Sequence, residues 1–455
     1  MFKIKIPKNC SKIINMIEQS NFDAYMVGGC VRDSLLGLEP NDWDIATNAT
    51  PTQIKELFKN AHNYAVTSTG EKYGTITVFC KDDKKTYEVT TFRLDGNYTD
   101  GRHPDSVTFS NNIEDDLARR DFTINAMAYN DNKGIIDLFD GQKHLKEKTL
   151  FFVGNPYERL KEDGLRIMRA IRFAYKLKFI IENASYEAIK HSISNGYLKN
   201  LSKERVRDEL ISILEFFYYD NNYILFETMI LNIIPELKSM VGKEQHCPYH
   251  IYDIWNHSVI AMSNTPNDAV LRLTMLLHDI GKVETFNLDN NGIGHFYGHP
   301  KISCEISRKI LSKLKFDNKT KDNILMLIKQ HEVPFILTKK WVKKMLGKIG
   351  EKAFRQLLYV RFADNVAHNP RYFYEKHKKL ESIKNIFNGV LEENECFSLK
   401  NLNINGNDLI RLGLKGREIG KWLNRCLDLV ISDNTQNDNK TLVEYIINNK
   451  NSNDS

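Results

Sequence analysis

The 455-residue chain is too long for one hydrophobic core, so we expect about three or four domains. Its 42% hydrophobic and 27% charged residues are typical of globular proteins, and a net charge of +6 permits a nucleic-acid partner without requiring one. The lack of any run of about 18 apolar residues and of a signal peptide speaks against a membrane protein, and seven cysteines without a CxxC pair favour reduced thiols in a cytoplasm over disulfides or a zinc site.

The first 140 residues mix strand and helix patterns. Two segments, "CVRDSLLG" and "PTQIKELFKN", are predicted helices, and the second begins with Thr50 as N-cap and Pro51 in the first turn. β-Branched and aromatic residues predict four strands, at 24–29, 43–47, 74–80 and 86–92.

From about residue 155 the strand patterns cease and helical patterns continue to the end. The first of these helices begins with Asn155 as N-cap and Pro156, and carries an apolar stripe at Ile167, Ile171 and Ala174. Polar residues 448–455 are expected to be disordered. Breaks between helices are predicted near 240–250, 263–267, 287–300 and 431–440.

The segment 159–178 is strongly basic, with seven Lys or Arg residues against two acids. In isolation, a solvated helix face and a phosphate-binding helix are equally good interpretations of this pattern.

The stretch "GGCVRDSLLGLEPNDWDIAT" (28–47) indicates a polyphosphate site. Glycines between a strand and a helix let backbone N–H groups approach a phosphate, and Arg32 can reach the same anion; a tight turn with a surface arginine is the alternative. Asp42 and Asp44 lie two apart on a predicted strand and so share a face. Paired carboxylates repel each other unless a cation lies between them, which favours Mg²⁺ over an exposed acidic turn.

These residues resemble the nucleotidyltransferase signature of class II tRNA CCA-adding enzymes and bacterial poly(A) polymerases. The resemblance extends almost continuously over 20–215. Further family motifs follow in order: "RRDFTINAMA" (119–128), "DLFDG" (137–141), "EDGLRIMRAIRFA" (162–174) and "LSKERVRDEL" (201–210).

The resemblance implies a head that joins an RNA 3′-hydroxyl to the α-phosphate of CTP or ATP with two metal ions. Asp42 and Asp44 would be the Mg²⁺ ligands. Gly29 and Arg32 would hold the triphosphate, and Arg120 would contact the nucleotide. Glu88, in the strand "TYEVTTF", is a candidate for a third carboxylate.

The resemblance also implies that Asp163 and Arg166 choose the base, presenting an acceptor and a donor to C or A in place of a template. On one continuous helix these two are neighbours, whereas Arg169 and Arg172 each step a further 60° around it and suit bracing, phosphate or RNA contact. Gly164 within that helix would cost about 1 kcal/mol relative to Ala, which a close ligand or close helix packing would explain.

The segment 91–109 is polar and contains glycines. It resembles the mobile loop with which these enzymes switch from CTP to ATP, and its presence argues against an enzyme that adds only C. An ordinary loop is the alternative.

A second pattern in the helical part resembles the HD superfamily of metal-dependent phosphohydrolases. Imidazole and carboxylate ligands suit Mn, Fe, Ni or Co, although packed histidines are the alternative. Lys282 would be available for phosphate, and no role is assigned to His246, His250 and His295. The six ligand candidates are His257, His278, Asp279, His299, His331 and Asp364.

We therefore expect an α+β protein: a small mixed-sheet head followed by an elongated all-α neck, HD body and tail. The predicted domains are 1–150 (head), 151–220 (neck), 221–385 (HD-type) and 386–455 (tRNA-binding tail). CCA addition to tRNA is the leading interpretation. A poly(A) polymerase, and an RNA-binding HD phosphohydrolase with an inactive head, are the alternatives.

Overall fold

The computed structural model describes residues 3–96, 98 and 104–450. The chain divides into two compact units, Met1–Pro235 and Glu236–Ser455. The finer boundaries expected at 150, 220 and 385 stay predictions. Among the described residues, no helix has the length and apolar character needed to cross a membrane.

The first unit contains a seven-stranded mixed sheet and ten helices within the described residues. Its elements are α1 Lys8–Gln19, β1 Ala24–Val27, α2 Gly29–Leu35, β2 Asp44–Thr47, α3 Pro51–Lys59, β3 Tyr64–Gly70, β4 Thr75–Cys80, β5 Lys85–Thr91, β6 Arg93–Asp95, β7 Val107–Phe109, α4 Ile113–Ala118, β8 Met127–Asn130, β9 Gly134–Asp137, α5 Gly141–Glu147, β10 Thr149–Leu150, α6 Pro156–Glu162, α7 Leu165–Leu177, β11 Ile180–Ile181, α8 Asn183–Ser194, α9 Lys203–Phe216 and α10 Tyr223–Ile233.

The main sheet has the strand order β3-β4-β5-β2-β1-β8-β9. Only the β2–β5 pair is parallel, so the predicted mixed sheet is confirmed. One face packs on a core that includes Tyr25, Phe92 and Leu117. The parallel β2–β5 pair lies at the centre of the sheet, where the acidic residues of the first motif are located.

The local predictions in the head are confirmed with one correction. All four strands form, and α3 begins with Thr50, whose side chain accepts from Gln53 N–H in a capping box. However, β2 begins at Asp44, so Asp42 lies in the turn before the strand and not on it. In the segment 91–109, β6 and β7 pair as a hairpin, while residues 97 and 99–103 lie outside the described residues.

The second unit is helical apart from one pair of two-residue strands among its described residues. Its elements are α11 Ile254–Ser263, α12 Ala269–Leu277, α13 Lys282–Thr285, β12 Asn287–Leu288, β13 Gly294–His295, α14 His299–Lys313, α15 Asn318–Gln330, α16 Lys339–Ile349, α17 Glu351–Val366, α18 Phe373–Glu392, α19 Gly406–Arg411, α20 Arg417–Ile431 and α21 Asn439–Lys450.

The predicted helix breaks at the four stretches from 240 onward are confirmed. The prediction of disorder from residue 448 is wrong for 448–450, which form the last turn of α21, a helix anchored by the buried side chains of Leu442 and Ile446. Residues 451–455 lie outside the described residues. All seven cysteines are free thiols, as expected.

Candidate active site and candidate metal centre

Three carboxylates lie near one another on the head sheet, although their oxygens do not all lie within 4.8 Å of one another. Asp44 opens β2 and is paired in register with Glu88 of the parallel strand β5, while Asp42 lies two residues before it. Residues in register on neighbouring strands point to the same face of the sheet, and the Glu88 carboxylate is near enough to repel that of Asp44. The sheet therefore adds Glu88 to the two acids of the first motif.

The electrostatics of this cluster fit a bound cation. Burial, with repulsion from Glu88 and Asp42, raises the pKa of Asp44 to about 6, although the positive charge of Arg120 opposes this rise. Carboxylates that repel one another in the absence of a cation are a suitable oxygen donor set for Mg²⁺. These oxygen donors therefore make the region a candidate site for a divalent metal ion.

The glycine turn ahead of α2 is shaped by an arginine. Gly28 has φ +76°, a backbone conformation that favours glycine, and a Cβ atom there would lie 2.7 Å from Arg120 Nη1 and so displace this guanidinium. Arg120 is held by Asp116 at 3.0 Å and also donates to the carbonyl of Asn125. The structure thus places Arg120 against the turn that contains Gly29.

Arg32 is buried, with 5% of its surface exposed, and is not the surface arginine of the alternative interpretation. It pairs with Asp33 at 2.7 Å, donates to Asn125 Oδ1 at 2.6 Å and stacks on Phe173 of α7. This side chain therefore connects the glycine turn to α7.

The prediction of one continuous helix over 159–178 is wrong. Helix α6 ends at Glu162, Asp163 is extended (φ −144°, ψ 106°), and α7 begins at Leu165. A Cβ atom on Gly164 would lie 2.4 Å from the carbonyl oxygen of Tyr197, so close packing against the backbone explains this glycine. Asp163 is therefore at the junction of two helices.

Gly164→Ala is expected to destabilise the first unit by about 1–3 kcal/mol, because the added methyl group must displace the Tyr197 backbone. Thermal unfolding measures this loss. Gly154→Ala is a control for backbone strain, since Gly154 has φ +66° but open space around it. A Gly164→Ala protein with unchanged stability would contradict this packing.

The two residues expected to read the base have separate partners in this structure. Asp163 accepts from Arg205 at 2.7 Å and from Leu165 N–H, while Arg166 pairs with Glu162 and donates to the Arg119 carbonyl. Both side chains lie at the α6–α7 junction, but no described contact joins them to each other.

Arg169 and Arg172 brace α7, one of the three roles open to them from the sequence. Arg169 pairs with Asp121 at 2.6 Å, and this cation holds the pKa of the buried Asp121 carboxyl at about 2 although burial would raise it. Arg172 pairs with Glu209 of α9 at 2.8 Å. These two arginines are therefore not part of a solvated face, whereas Lys161, Lys176 and Lys178 of the same segment are exposed.

Several residues in these contacts were missed from the sequence. Asp121 and Asn125 link Arg32 to Arg169 through a chain of hydrogen bonds. Arg205 holds Asp163. All three lie inside the quoted motifs, and Asn125 is a polar residue between Ile124 and Ala126, which is a usable signal.

The six histidines and aspartates of the second pattern come together in one buried cluster in the second unit. Asp279 is at its centre: Oδ2 lies 3.3 Å from His278 Nε2 and 3.5 Å from His257 Nε2, and Oδ1 lies 3.2 Å from His299 Nε2 and 3.7 Å from His331 Nε2. Asp364 Oδ1 lies 3.1 Å from His257 Nε2. Each oxygen of Asp279 thus faces a different pair of histidines.

The cluster has the properties of a metal centre. His278 Nε2 and Asp279 Oδ1 are buried without a hydrogen-bond partner, although burying unpaired polar groups is costly, while Asp279 Oδ2 lies 2.7 Å from Lys282 Nζ. Burial would raise the pKa of Asp279, but His278 and Lys282 hold it well below its usual range, so the carboxylate is ionised. In three groups of residues the ligand atoms lie close enough together to hold a metal ion, and neighbouring groups have one histidine in common. The groups are His257, His278 and Asp364; His278, Asp279 and His331; and His299, His331 and Glu332.

Backbone carbonyl groups orient the imidazole rings of this cluster. The Nδ1 atoms of His257, His278, His299 and His331 each lie within 3.1 Å of a backbone carbonyl, which leaves Nε2 to face the centre. Such carbonyl contacts fix the tautomer of metal-binding histidines. His250 and His368, which were not assigned from the sequence, flank His257.

Known families match most of the chain. A profile described as "Poly A polymerase head domain" matches 24–151, "Probable RNA and SrmB- binding site of polymerase A" matches 178–240, and "tRNA nucleotidyltransferase domain 2 putative" matches 295–446. Together with the carboxylates on the sheet, these matches define a nucleotidyltransferase.

Similar proteins identify the family to which the chain belongs within the nucleotidyltransferases. A CCA-adding enzyme of Ligilactobacillus salivarius is 32% identical over 444 residues, covering 96% of this chain and 95% of that protein. One from Limosilactobacillus reuteri is 46% identical over 202 residues, but that alignment spans only 44% of this chain and 48% of the relative. The chain belongs to the family of CCA-adding enzymes.

Solved structures support the same fold. A Bacillus stearothermophilus CCA-adding enzyme in complex with CTP aligns with a TM-score of 0.64 and 24% identity, covering 97% of this chain and 96% of that one. A Thermotoga maritima CCA-adding enzyme complexed with tRNA aligns with a TM-score of 0.55 and 22% identity, with 98% and 97% coverage.

Proposed function

We propose that this chain adds C, C and A to the 3′ end of tRNA from CTP and ATP. The observation that carries this proposal is the carboxylate cluster of Asp42, Asp44 and Glu88 on the head sheet of a chain in this family. The full-length relative from L. salivarius is a CCA-adding enzyme, which supports the same activity here.

Asp42, Asp44 and Glu88 would hold Mg²⁺, which when bound lowers the pKa of the attacking hydroxyl and neutralises charge on pyrophosphate. The 3′-oxygen bonds to the α-phosphorus while the bond to pyrophosphate breaks, and the hydroxyl proton passes to solvent. Arg120, fixed by Asp116 beside the Gly28–Gly29 turn, offers positive charge to the triphosphate. Buried Arg32 contributes to this site by holding the turn against α7.

Asp163 and Arg166 select the base at the α6–α7 junction. The exocyclic amine of an incoming C or A would replace Arg205 as the partner of Asp163. The acceptor atoms of its ring would replace Glu162 as the partner of Arg166. These ion pairs keep the two side chains ordered before the nucleotide arrives, which lowers the entropy cost of binding. Arg169 and Arg172 position α7 and do not touch the nucleotide.

Sequencing the ends of a tRNA lacking CCA, after incubation with the chain, Mg²⁺, CTP and ATP, tests this activity. The expected product ends in CCA and grows no further. Open-ended A tracts would instead identify a poly(A) polymerase. No extension by a protein that retains the fold and binds tRNA would support the inactive-head alternative.

The C-terminal helices are proposed to grip the tRNA. Helix α20 exposes Arg417 and Lys421 opposite a buried face that includes Cys426, and exposed Arg425 lies over the ring of Trp422 at the edge of that face. Binding through phosphates releases counterions, so affinity falls with salt. Free thiols and bacterial relatives favour the cytoplasm as the site of this reaction.

A second activity, metal-dependent phosphomonoester hydrolysis, is proposed for the buried cluster in the second unit. Asp279, with one oxygen toward each histidine pair, would hold metal together with these imidazoles and Asp364, and imidazole with carboxylate suits Mn, Ni or Co. Water would add to phosphorus as the P–O ester bond breaks, and a proton from that water would pass to the leaving oxygen. The products are an alcohol and inorganic phosphate.

A further inference from the structure

The buried cluster reaches solvent at Asp364. This residue retains 14% side-chain exposure, whereas the other five ligand candidates retain 0–2%. Asp364 therefore marks one face from which a substrate can approach, and exposed Glu332 beside His299 lies at another edge. The side chains around Asp364 determine what enters from its side.

Lys376 of α18 is the unexplained residue at this entrance. It is half-buried, and this burial lowers the pKa of its ammonium group. It is attracted by Asp364 but repelled by Arg361 and Lys282. The structure gives this ammonium no ion pair or hydrogen bond within the described residues, only the ring face of Tyr249 at 5.4 Å.

The other two cations at the entrance have partners. Lys282 donates to Gln245 Oε1 at 2.9 Å and pairs with Asp279 at 2.7 Å, and Arg361 donates to the carbonyl oxygen of His331. Desolvating a third cation beside them is unfavourable in the free protein. An anion that arrives between Lys376 and the cluster removes this cost.

An aromatic rim adjoins Lys376. Tyr249 is 48% exposed, its ring lies 4.6 Å from that of Tyr372, and its carbonyl accepts from Asn369 N–H at 2.8 Å. This backbone bond fixes an exposed ring beside the cation. A flat base can stack on such a ring while its phosphate lies farther inside.

We infer that Lys376 binds the phosphate of a nucleoside monophosphate at the buried histidine–aspartate centre, with the base against Tyr249. This inference rests on the proposed hydrolase activity of the second unit. Lys376 sets phosphate affinity, Tyr249 sets preference for a nucleoside, and neither residue holds the metal ions.

Lys376→Gln in the full chain loaded with Mn²⁺ is expected to raise KM for AMP hydrolysis roughly tenfold or more with kcat little changed, because a charge-assisted contact to phosphate is lost. Bound Mn²⁺ and CCA addition stay at wild-type levels. Lys376→Arg should restore most of the affinity. Lys379→Gln, on the same helix but paired with Glu375 at the surface, is the matched control.

The Tyr249→Leu variant tests recognition of the base separately from recognition of the phosphate. KM for AMP is expected to rise roughly tenfold while KM for ribose 5-phosphate stays near wild type, since only AMP offers a ring to stack. Equal effects on both substrates would overturn the assignment of the base to Tyr249.

Measuring the binding of inorganic phosphate to the Mn²⁺-loaded chain tests the phosphate site at Lys376 separately from the proposed hydrolase activity. Phosphate affinity that falls in Lys376→Gln, in a chain that hydrolyses no phosphomonoester, would refute the hydrolase while supporting the anion site at Lys376. Unchanged KM and unchanged phosphate affinity in Lys376→Gln would overturn the inference.

Discussion

Asp44→Asn is expected to reduce nucleotide addition roughly a thousandfold or more while leaving tRNA binding measurable. The carboxylate would hold the Mg²⁺ that neutralises charge developing on the phosphates. Loss of one group that stabilises transition-state charge in other enzymes costs about 10²–10³ in rate, and loss of a metal ligand should reach at least the upper end of that range. Single-turnover addition of CMP to a tRNA lacking CCA, at saturating CTP and Mg²⁺, measures the loss.

The same variant should not lose stability. Because the folded-state pKa of Asp44 is raised to about 6, its ionised form is disfavoured by folding at neutral pH, and the neutral amide removes that penalty. We expect the metal-free variant to unfold at or above the wild-type temperature at pH 8. Glu39→Gln, an exposed acid in the preceding loop, is the control. Retained addition by Asp44→Asn would refute the assignment.

Asp279→Asn is expected to remove transition metal from the second unit and abolish phosphomonoester hydrolysis. Each Asp279 oxygen faces a pair of histidines, so an amide at this position weakens both halves of the centre, by more than roughly 100-fold in affinity. Metal content after dialysis against Mn²⁺, measured by elemental analysis, and AMP hydrolysis report the two effects.

The Asp279→Asn change also weakens the buried ion pair with Lys282, which can destabilise the second unit. Because the helices of that unit are proposed to bind tRNA, CCA addition by the variant reports whether the unit still folds. His299→Gln removes a ligand without disturbing Lys282 and should show the same metal loss. His295→Asn, outside the cluster, is the matched control. Wild-type metal content in both ligand variants would contradict the proposed centre.

Much of the fold was predictable because its signals are local. The Thr50–Pro51 helix start, the alternating strand β4 and the helix breaks after residue 240 each depend on a few neighbouring residues. The break at Asp163–Gly164 was not predictable from periodicity, because it depends on the backbone of Tyr197, 33 positions later in the chain.

The main residues of the two candidate sites were predictable from the sequence, but most of their partners were not. The motifs identified Asp44 and the histidine cluster, but only the parallel β2–β5 register places Glu88 beside Asp44. The partners of Arg32 and Asp163 come from distant segments, so no spacing rule reveals them. Likewise, Lys376 lies on a basic helix of ordinary composition, and its significance follows from the residues it faces.

The location of divalent ions in the head tests the central claim most directly. Crystals of the chain grown with Mn²⁺ and a non-hydrolysable CTP analogue should show anomalous scattering peaks at the carboxylates of Asp42 and Asp44, at about 2 Å from their oxygens. Nucleotide bound in the head with no peak at these carboxylates, in a protein that still adds CCA in solution, would contradict the account.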